Sequence, residues 1–270
     1  MFLFFLLLIF SFILVLYFKF KRYVPILMYH RIANIANDRN ALSPEKFKKQ
    51  LDYLKKNNFT TITMKMLHDY YKKNISLPNN SVLITFDDGY TDNFTEALPL
   101  LLERNMTAAV FPIAGWIGQK NLWENFHKEI TTTMSISQLH VWSQLGMEIG
   151  SHTLTHPFLS KCTPKALSKE IHESKKILEK NLSTPIDFFC YPYGDFNQNV
   201  VSTISSSGYL AAFAIFENVP LWNINLYALP RIPIPSTQKM WEFKLKVSSI
   251  HIIFIALRKW ERIFKKLLKK

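Results

Sequence analysis

Two clusters of polar residues carry side chains that could hold a metal ion and activate water. Asp87 and Asp88 follow the apolar run 82–86. Adjacent carboxylates at the end of a buried strand repel each other unless a cation or a proton lies between them. His152 and His156 follow a second apolar run, and imidazole is the commonest nitrogen ligand of zinc and similar ions. Their spacing of four predicts that both side chains project from the same side of a helical turn.

Together the two clusters favour a catalytic metal site over a structural one. Two imidazoles and one carboxylate leave coordination positions for water and substrate. The second carboxylate is then available as a base toward that water. Each cluster alone also has an ordinary interpretation, because Asp-Gly is common turn chemistry and histidine pairs at this spacing are frequent by chance. The metal site is favoured because both clusters follow predicted strands and would open on one face of a sheet.

Two further strand ends supply candidate residues. The segment 188–194 is a strand that ends in a tight Pro-Tyr-Gly turn. Such a turn could aim a backbone N–H at a developing oxyanion, or it could be a turn and nothing more. Cys190 in this strand is interpreted as a small buried apolar residue and not as a nucleophile. His30 ends the first predicted strand, on the presumed active face, where an ordinary strand-end histidine is the alternative.

The elements that must position these residues alternate between strands and helices. Ser43-Pro44 and Thr163-Pro164 each combine a helix N-cap with proline at the first helical position. Between the predicted helices lie short apolar runs of strand length, at 26–29, 82–86, 108–113, 147–150, 188–191 and 210–215. This alternation predicts an α/β fold with a mainly parallel sheet that closes into a barrel. In such folds the chemistry collects at the carboxyl ends of the strands.

Composition and charge exclude several classes of protein. The chain has 270 residues, of which 48% are apolar and 20% charged, so it can bury a core and is not disordered. Its two cysteines cannot form a disulfide scaffold. The net charge of +13 is concentrated at the two ends, since residues 24–238 carry 20 basic and 18 acidic side chains. A basic nucleic-acid groove across the main domain is therefore not expected, and nucleic acid is not a predicted partner.

The two ends are predicted to bind a membrane. Residues 1–18 contain no charged side chain, and as a helix they would span about 27 Å, close to the hydrocarbon thickness of a bilayer. An uncleaved transmembrane anchor is expected there, with a signal peptide or a buried helix as alternatives. Residues 239–270 interleave apolar and basic residues at helical spacing. They predict a basic amphipathic helix at the membrane interface; a terminal helix packed on the domain and a nucleic-acid tail are the alternatives.

Three motifs, in this order, resemble those of a known family. They are Thr85-Phe86-Asp87-Asp88-Gly89, Ser151-His152-Thr153-Leu154-Thr155-His156 and Tyr191-Pro192-Tyr193-Gly194. They are similar to the first three motifs of the polysaccharide deacetylases, which form the NodB-homology superfamily, carbohydrate esterase family 4. The resemblance covers residues 24–235. It implies a distorted (β/α)₇ barrel and the metal-dependent removal of N-acetyl groups from amino sugars.

The resemblance also implies roles for individual residues. Asp88, His152 and His156 match the metal ligands, and Asp87 matches the catalytic base. Tyr193 matches the residue whose backbone N–H helps to hold the oxyanion. The expected cofactor is a divalent metal ion, zinc foremost, with nickel or cobalt as alternatives.

Two positions depart from the family's pattern. The arginine that usually opens the third motif and steadies the base is Cys190 here, and the Leu-x-His that usually supplies the general acid reads Leu229-Pro230-Arg231. The segment Pro25–His30 is similar to the branch that contains poly-N-acetylglucosamine deacetylases, in which a histidine of a Met-Tyr-His segment takes the acid role. We therefore expect His30 to be the general acid and Arg231 to replace the missing arginine beside Asp87.

The expected function is metal-dependent N-deacetylation of an amino-sugar glycan of the cell envelope or of a lipid-linked sugar. One alternative is an O-acetyl esterase, because ester and amide cleavage need the same site. The other is a tethered glycan-binding protein without activity. The expected organisation is an anchor over residues 1–18, a deacetylase domain over 24–238 and a basic helix over 239–270. The expected localisation is a bacterial inner membrane, as a single-pass protein in contact with membrane lipids; the side of the membrane and the oligomeric state stay open.

Overall fold

The computed structural model describes residues 23–123, 129–215 and 224–248, together with Ser11 and His251. The strands in these ranges are β1 (Ile26–Tyr29), β2 (Arg31–Ile32), β3 (Ala41–Leu42), β4 (Thr60–Thr61), β5 (Ser81–Asp88), β6 (Ala109–Pro112), β7 (Glu148–Ile149), β8 (Phe188–Cys190), β9 (Ala211–Ile215) and β10 (Leu229–Pro233). The α-helices are α1 (Pro44–Lys56), α2 (Met64–Lys73), α3 (Leu98–Leu102), α4 (Ile136–Gln144), α5 (Pro164–Leu182), α6 (Gln198–Ser206) and α7 (Met240–Val247).

Parallel strands form a nearly closed barrel. Their order is β7-β6-β5-β1-β10-β9-β8, and every pairing along this path is parallel. A bridge between Ser151 and Phe189 brings the chain after β7 against β8, which nearly completes the ring. β4 pairs with β5, and β2 and β3 form a separate two-stranded sheet. The predicted α/β class and the parallel barrel are confirmed.

Each of the six apolar runs predicted as strands overlaps an observed strand, but β10 was not among them. Its sequence, Leu-Pro-Arg-Ile-Pro, contains two prolines, and proline within a run argues against a central strand because it cannot donate to the sheet. β10 nevertheless lies between β1 and β9 in the barrel. This placement matters because the middle residue of β10 is Arg231.

The two predicted helix starts are confirmed. The hydroxyl of Ser43 accepts a hydrogen bond from the backbone N–H of Lys46 at the start of α1, and Thr163 does the same with Ala166 at the start of α5. Each helix then buries an apolar face against the barrel, through Phe47, Leu51 and Leu54 on α1 and Leu167, Ile171 and Leu178 on α5. Capping and periodicity are local signals, so the sequence alone could predict them.

The buried side chains of the strands divide between two apolar clusters. Leu83 of β5 belongs to a cluster with Phe111 and Phe213, whereas the next residue along β5, Ile84, belongs to the cluster that packs against the helices. Successive side chains of a strand point to opposite faces, so the first cluster fills the barrel interior. Asp87 lies on the same face of β5 as Leu83. Its carboxylate therefore lies in the barrel interior, at the carboxyl-terminal side of this apolar cluster.

The localisation predicted from the sequence is contradicted. Within the described part of the chain, no helix combines the length and the apolar character needed to cross a membrane. The predicted anchor, residues 1–18, lies outside the described residues apart from Ser11, as does most of the predicted basic helix 239–270. The described start of that helix is α7, whose Phe243 and Val247 are buried in the domain core. Over these residues the observed form is the alternative, a helix packed on the domain.

Candidate active site

The carboxyl ends of the barrel strands surround a cavity of about 550 Å³. Six of the seven site residues predicted from the sequence line it: His30, Asp87, Asp88, His152, His156 and Tyr193. The seventh, Arg231, is fully buried and contacts Asp87. The fold thus brings together residues from four strand ends that are far apart in the sequence.

Asp88, His152 and His156 form a candidate metal centre. The Oδ1 atom of Asp88 lies 3.6 Å from Nε2 of His152 and 3.5 Å from Nε2 of His156. One ligand atom from each residue lies within 4.8 Å of the other two. Two imidazole nitrogens and a carboxylate oxygen are a donor set that suits zinc and neighbouring divalent metals. The residues present therefore fit the metal ion that the family implies.

The surroundings of His152 favour the form of imidazole that binds a metal. Its Nδ1–H donates to the backbone carbonyl of Cys190 at 2.9 Å, which leaves the Nε2 lone pair directed toward Asp88. Burial lowers the pKa of His152 to about 3, although the nearby charge of Asp87 acts in the opposite direction. A neutral imidazole with a fixed tautomer needs no proton loss before it binds a cation.

A second group of possible ligands overlaps with the first. Asp87, His152 and Cys190 also place ligand atoms within 4.8 Å of one another. The guanidinium of Arg231, however, donates to both Asp87 and Cys190. A metal ion held by Asp87 and Cys190 would therefore lie next to this positive charge. The group that contains Asp88 is the better candidate for a metal ion.

The loop that carries the two histidines is not a helical turn, in contrast to the prediction. Thr153 and His156 both adopt left-handed backbone conformations, with φ of 69° and 68°. The Thr153 hydroxyl accepts a hydrogen bond from the backbone N–H of His156 at 2.9 Å. The two imidazoles still converge on Asp88, but an irregular loop brings them together instead of the i,i+4 geometry of a helix.

Asp87 forms a bidentate ion pair with Arg231. Nη1 of the arginine donates to Oδ1 at 2.6 Å, and Nη2 donates to Oδ2 at 2.7 Å. Burial alone raises the pKa of Asp87, but the charge and hydrogen bonds of Arg231 outweigh it and hold the pKa of this carboxyl well below its usual value. Asp87 is therefore ionised at neutral pH, despite being almost fully buried.

Cys190 contacts both members of this ion pair. Its thiol is buried, and its Sγ accepts from Nη2 of Arg231 at 2.9 Å. Burial raises the pKa of the thiol well above its usual value, so it stays protonated. In this chain the guanidinium that binds Asp87 comes from Arg231 on β10. In the family's usual pattern it would come from the position on β8 that Cys190 occupies here.

The main chain at His30 is held by residues that the sequence analysis did not single out. The carbonyl of His30 accepts from the side-chain amide of Asn93 at 2.7 Å. Asp92 binds the next two residues, with Oδ2 2.9 Å from Nε of Arg31 and Oδ1 2.9 Å from the backbone N–H of Ile32. Only their position shortly after the Asp-Asp-Gly motif could have indicated them. They fix the strand end from which His30 reaches the cavity.

Tyr193 lies at the rim of the cavity beside one candidate ligand. Within the turn that follows β8 it has a left-handed backbone, with φ of 57°. Its phenol oxygen is 3.1 Å from Nδ1 of His156, and its ring stacks on Phe158 with centroids 4.0 Å apart. The third motif thus contacts the second one directly.

The match to a family model agrees with this geometry. The model described as Polysaccharide deacetylase matches residues 74–212. The chain belongs to this family and is an enzyme of the deacetylase class.

Relatives and solved structures extend the likeness beyond that range. A poly-beta-1,6-N-acetyl-D-glucosamine N-deacetylase of Staphylococcus aureus is 28% identical over 229 residues, which cover 77% of this chain and 77% of the relative. The Streptococcus pyogenes deacetylase PplD in complex with acetate shares the fold with a TM-score of 0.73 at 24% identity, over 83% of this chain and 98% of that one. IcaB from Ammonifex degensii also shares the fold, with a TM-score of 0.70 at 24% identity, over 83% of this chain and 95% of that one.

Proposed function

We propose that the protein is a metal-dependent N-deacetylase that acts on a polymer of N-acetylglucosamine. The observation that carries this proposal is the difference between two adjacent carboxylates. Asp87 is ionised and paired with Arg231, whereas Asp88 faces the imidazoles of His152 and His156. One carboxylate is thus suited to proton transfer and the other to binding a cation. The name of the Staphylococcus aureus relative supports the choice of substrate.

Asp88, His152 and His156 would hold the divalent ion, for which zinc is the first candidate and nickel and cobalt are the alternatives. When bound, such an ion supplies Lewis acidity, which polarises the acetyl carbonyl and lowers the pKa of water.

The chain's own residues would handle the protons. Asp87 is ionised and lines the cavity, so it can accept the proton of the attacking water. Arg231 holds both oxygens of that carboxylate and fixes its orientation. His30, which lines the same cavity, would protonate the leaving nitrogen of the amino sugar. The backbone N–H of Tyr193 would donate to the oxyanion. The products are acetate and a free amino sugar.

Acetate release tests the proposal directly. The substrates are β-1,6-linked N-acetylglucosamine oligomers and, in parallel, an O-acetylated glycan. We expect release from the N-acetylated oligomers, its loss after treatment with a chelator, and its return when Zn²⁺, Co²⁺ or Ni²⁺ is added. Asp87→Asn should abolish release. Asp52→Asn, the same change on α1 at an ion pair with Arg104 outside the cavity, should leave it unchanged.

Three results would contradict the proposal. Full activity in the presence of chelator would show that the reaction needs no metal ion. Full activity of Asp87→Asn would show that Asp87 is not the base. Release from the O-acetylated glycan alone would make the protein an esterase.

A further inference from the structure

Glu170 is a buried carboxylate that the proposed reaction does not use. It lies on α5 and is 8% exposed. Its side chain accepts three hydrogen bonds, from the backbone N–H groups of Leu154 and Thr155, both at 2.9 Å, and from the Thr155 hydroxyl at 2.6 Å. Leu154 and Thr155 lie between the two candidate ligands, His152 and His156. A helix side chain thus binds the middle of the loop that carries both imidazoles.

The same loop is held from its other side by the turn after β6. The N–H of Ala114 donates to the carbonyl of Thr153 at 3.0 Å, and the N–H of Gly115 donates to the carbonyl of Leu154 at 2.9 Å. The turn therefore binds carbonyl groups of the loop, and Glu170 binds its N–H groups. Left-handed backbone at non-glycine residues, as at Thr153 and His156, persists only where surrounding contacts hold it.

We infer that Glu170 is a positioning residue for the metal centre. Both N–H bonds converge on one oxygen, Oε2, which sets the orientation of two successive peptide groups. Without them the left-handed residues can relax, and His156 can move relative to His152 and Asp88. Residues that orient metal ligands contribute about 10–100-fold to metal affinity. This inference rests on the metal site proposed above.

Two nearly isosteric substitutions separate the hydrogen bonds from the packing. Glu170→Met removes both acceptor oxygens and fills a similar volume. Glu170→Gln keeps the contacts, because its amide oxygen can accept from the two N–H groups and its amide nitrogen can donate to the Thr155 hydroxyl. Leu178→Ala is the control, since Leu178 is fully buried two turns further along α5 and its truncation lowers stability without removing a bond to the loop.

The experiment is a titration of the full-length, chelator-treated protein with Co²⁺. Calorimetry measures the affinity, and visible absorption spectroscopy reports on the coordination of the bound ion. We expect Glu170→Met to weaken Co²⁺ binding by about 10–100-fold and to change the absorption bands at saturation. Glu170→Gln should restore the wild-type bands and most of the affinity, and Leu178→Ala should match the wild type in both. Thermal unfolding without metal shows that each variant is folded at the titration temperature.

Each outcome decides one claim. If Glu170→Met binds Co²⁺ as the wild type does, or loses no more affinity than Leu178→Ala, the positioning role is refuted and the metal site stands. If the wild type binds no Co²⁺, or if binding survives His152→Ala, the metal site itself fails. Should Glu170→Met not fold, Glu170→Asp keeps the charge but is one methylene shorter, which withdraws the carboxylate from the two N–H groups. Weakened binding in that variant supports the inference, and unchanged binding refutes it.

Discussion

Replacing Arg231 by methionine would leave the buried carboxylate of Asp87 without its counter-charge. The guanidinium is fully buried and donates to both carboxylate oxygens, at 2.6 and 2.7 Å. Removing one partner of a buried ion pair typically costs about 3–5 kcal/mol, because the remaining charge is uncompensated. We therefore expect Arg231→Met to lower the free energy of unfolding by about 3–5 kcal/mol at neutral pH.

The double variant Arg231→Met/Asp87→Asn should be more stable than Arg231→Met alone. It removes the uncompensated charge and leaves a buried amide, whose unmet hydrogen bonds cost about 1–3 kcal/mol. The two substitutions therefore should not add, and a double-mutant cycle measures the difference as a coupling energy.

The sign of the pH dependence follows from the pKa of Asp87. In the wild type this pKa is lowered, because Arg231 outweighs the effect of burial. The stabilisation is thus present above the unfolded-state pKa and is lost as the pH falls toward the lower folded-state value. In Arg231→Met, the effect of burial is opposed only by the smaller effects of His152 and His30, so the pKa of Asp87 rises. The penalty then shrinks as the carboxyl takes up a proton. The stability difference between the two proteins should therefore be largest at neutral pH and smaller near pH 4.

Urea unfolding of chelator-treated protein at both pH values measures these differences. Lys49→Met is the matched control, because its pair with Glu45 has the same 2.6 Å distance but is exposed. Exposed pairs contribute little to stability, because water and salt screen their charges. A loss below about 1 kcal/mol for Arg231→Met, or a double variant as unstable as the sum of the two single variants, would refute the reasoning.

Three further substitutions test other parts of the site. His30→Ala should lower kcat by about 10²–10⁴-fold with normal metal content, as expected on loss of a general acid; near-native turnover would assign the acid to another residue. Cys190→Ala should retain most of the acetate release, because burial keeps the thiol protonated; a loss above about 100-fold would indicate a chemical role. Gly115→Ala would place a Cβ 2.5 Å from the carbonyl oxygen of Leu154. Thermal unfolding should therefore show a loss of stability of about 1–3 kcal/mol. An unchanged unfolding midpoint would show that the loop shifts to accommodate the methyl group.

The parts of the fold that depend on local signals could be predicted from the sequence. Ser43 and Thr163 cap the helices they were expected to start, and the apolar runs are strands. β10 could not be predicted in this way, because its two prolines contradict the local pattern. Its position in the barrel depends on parallel pairing with β1 and β9, which are distant in the sequence.

The candidate site also combines features that the local sequence could predict with features that depend on long-range contacts. Strand-end placement correctly grouped the aspartates with the histidines, because the carboxyl ends of parallel strands meet at one face. The spacing of His152 and His156 suggested a helix, but long-range bonds from Glu170 and Gly115 shape that loop. Such contacts have no signature in the local sequence. The contact of Arg231 with Asp87 was expected only because a family resemblance exposed a missing arginine.

The position of Arg231 on β10 also has a consequence for biosynthesis. Asp87 and Arg231 are 144 residues apart, so the aspartate leaves the ribosome long before its counter-charge is made. Contacts of such large sequence separation form late in folding, because a long loop must close first. Until β10 enters between β1 and β9, the barrel is open and Asp87 has no arginine beside it. A nascent chain, or one cut before β10, is therefore expected to remain inactive, and the onset of activity marks insertion of the last strand.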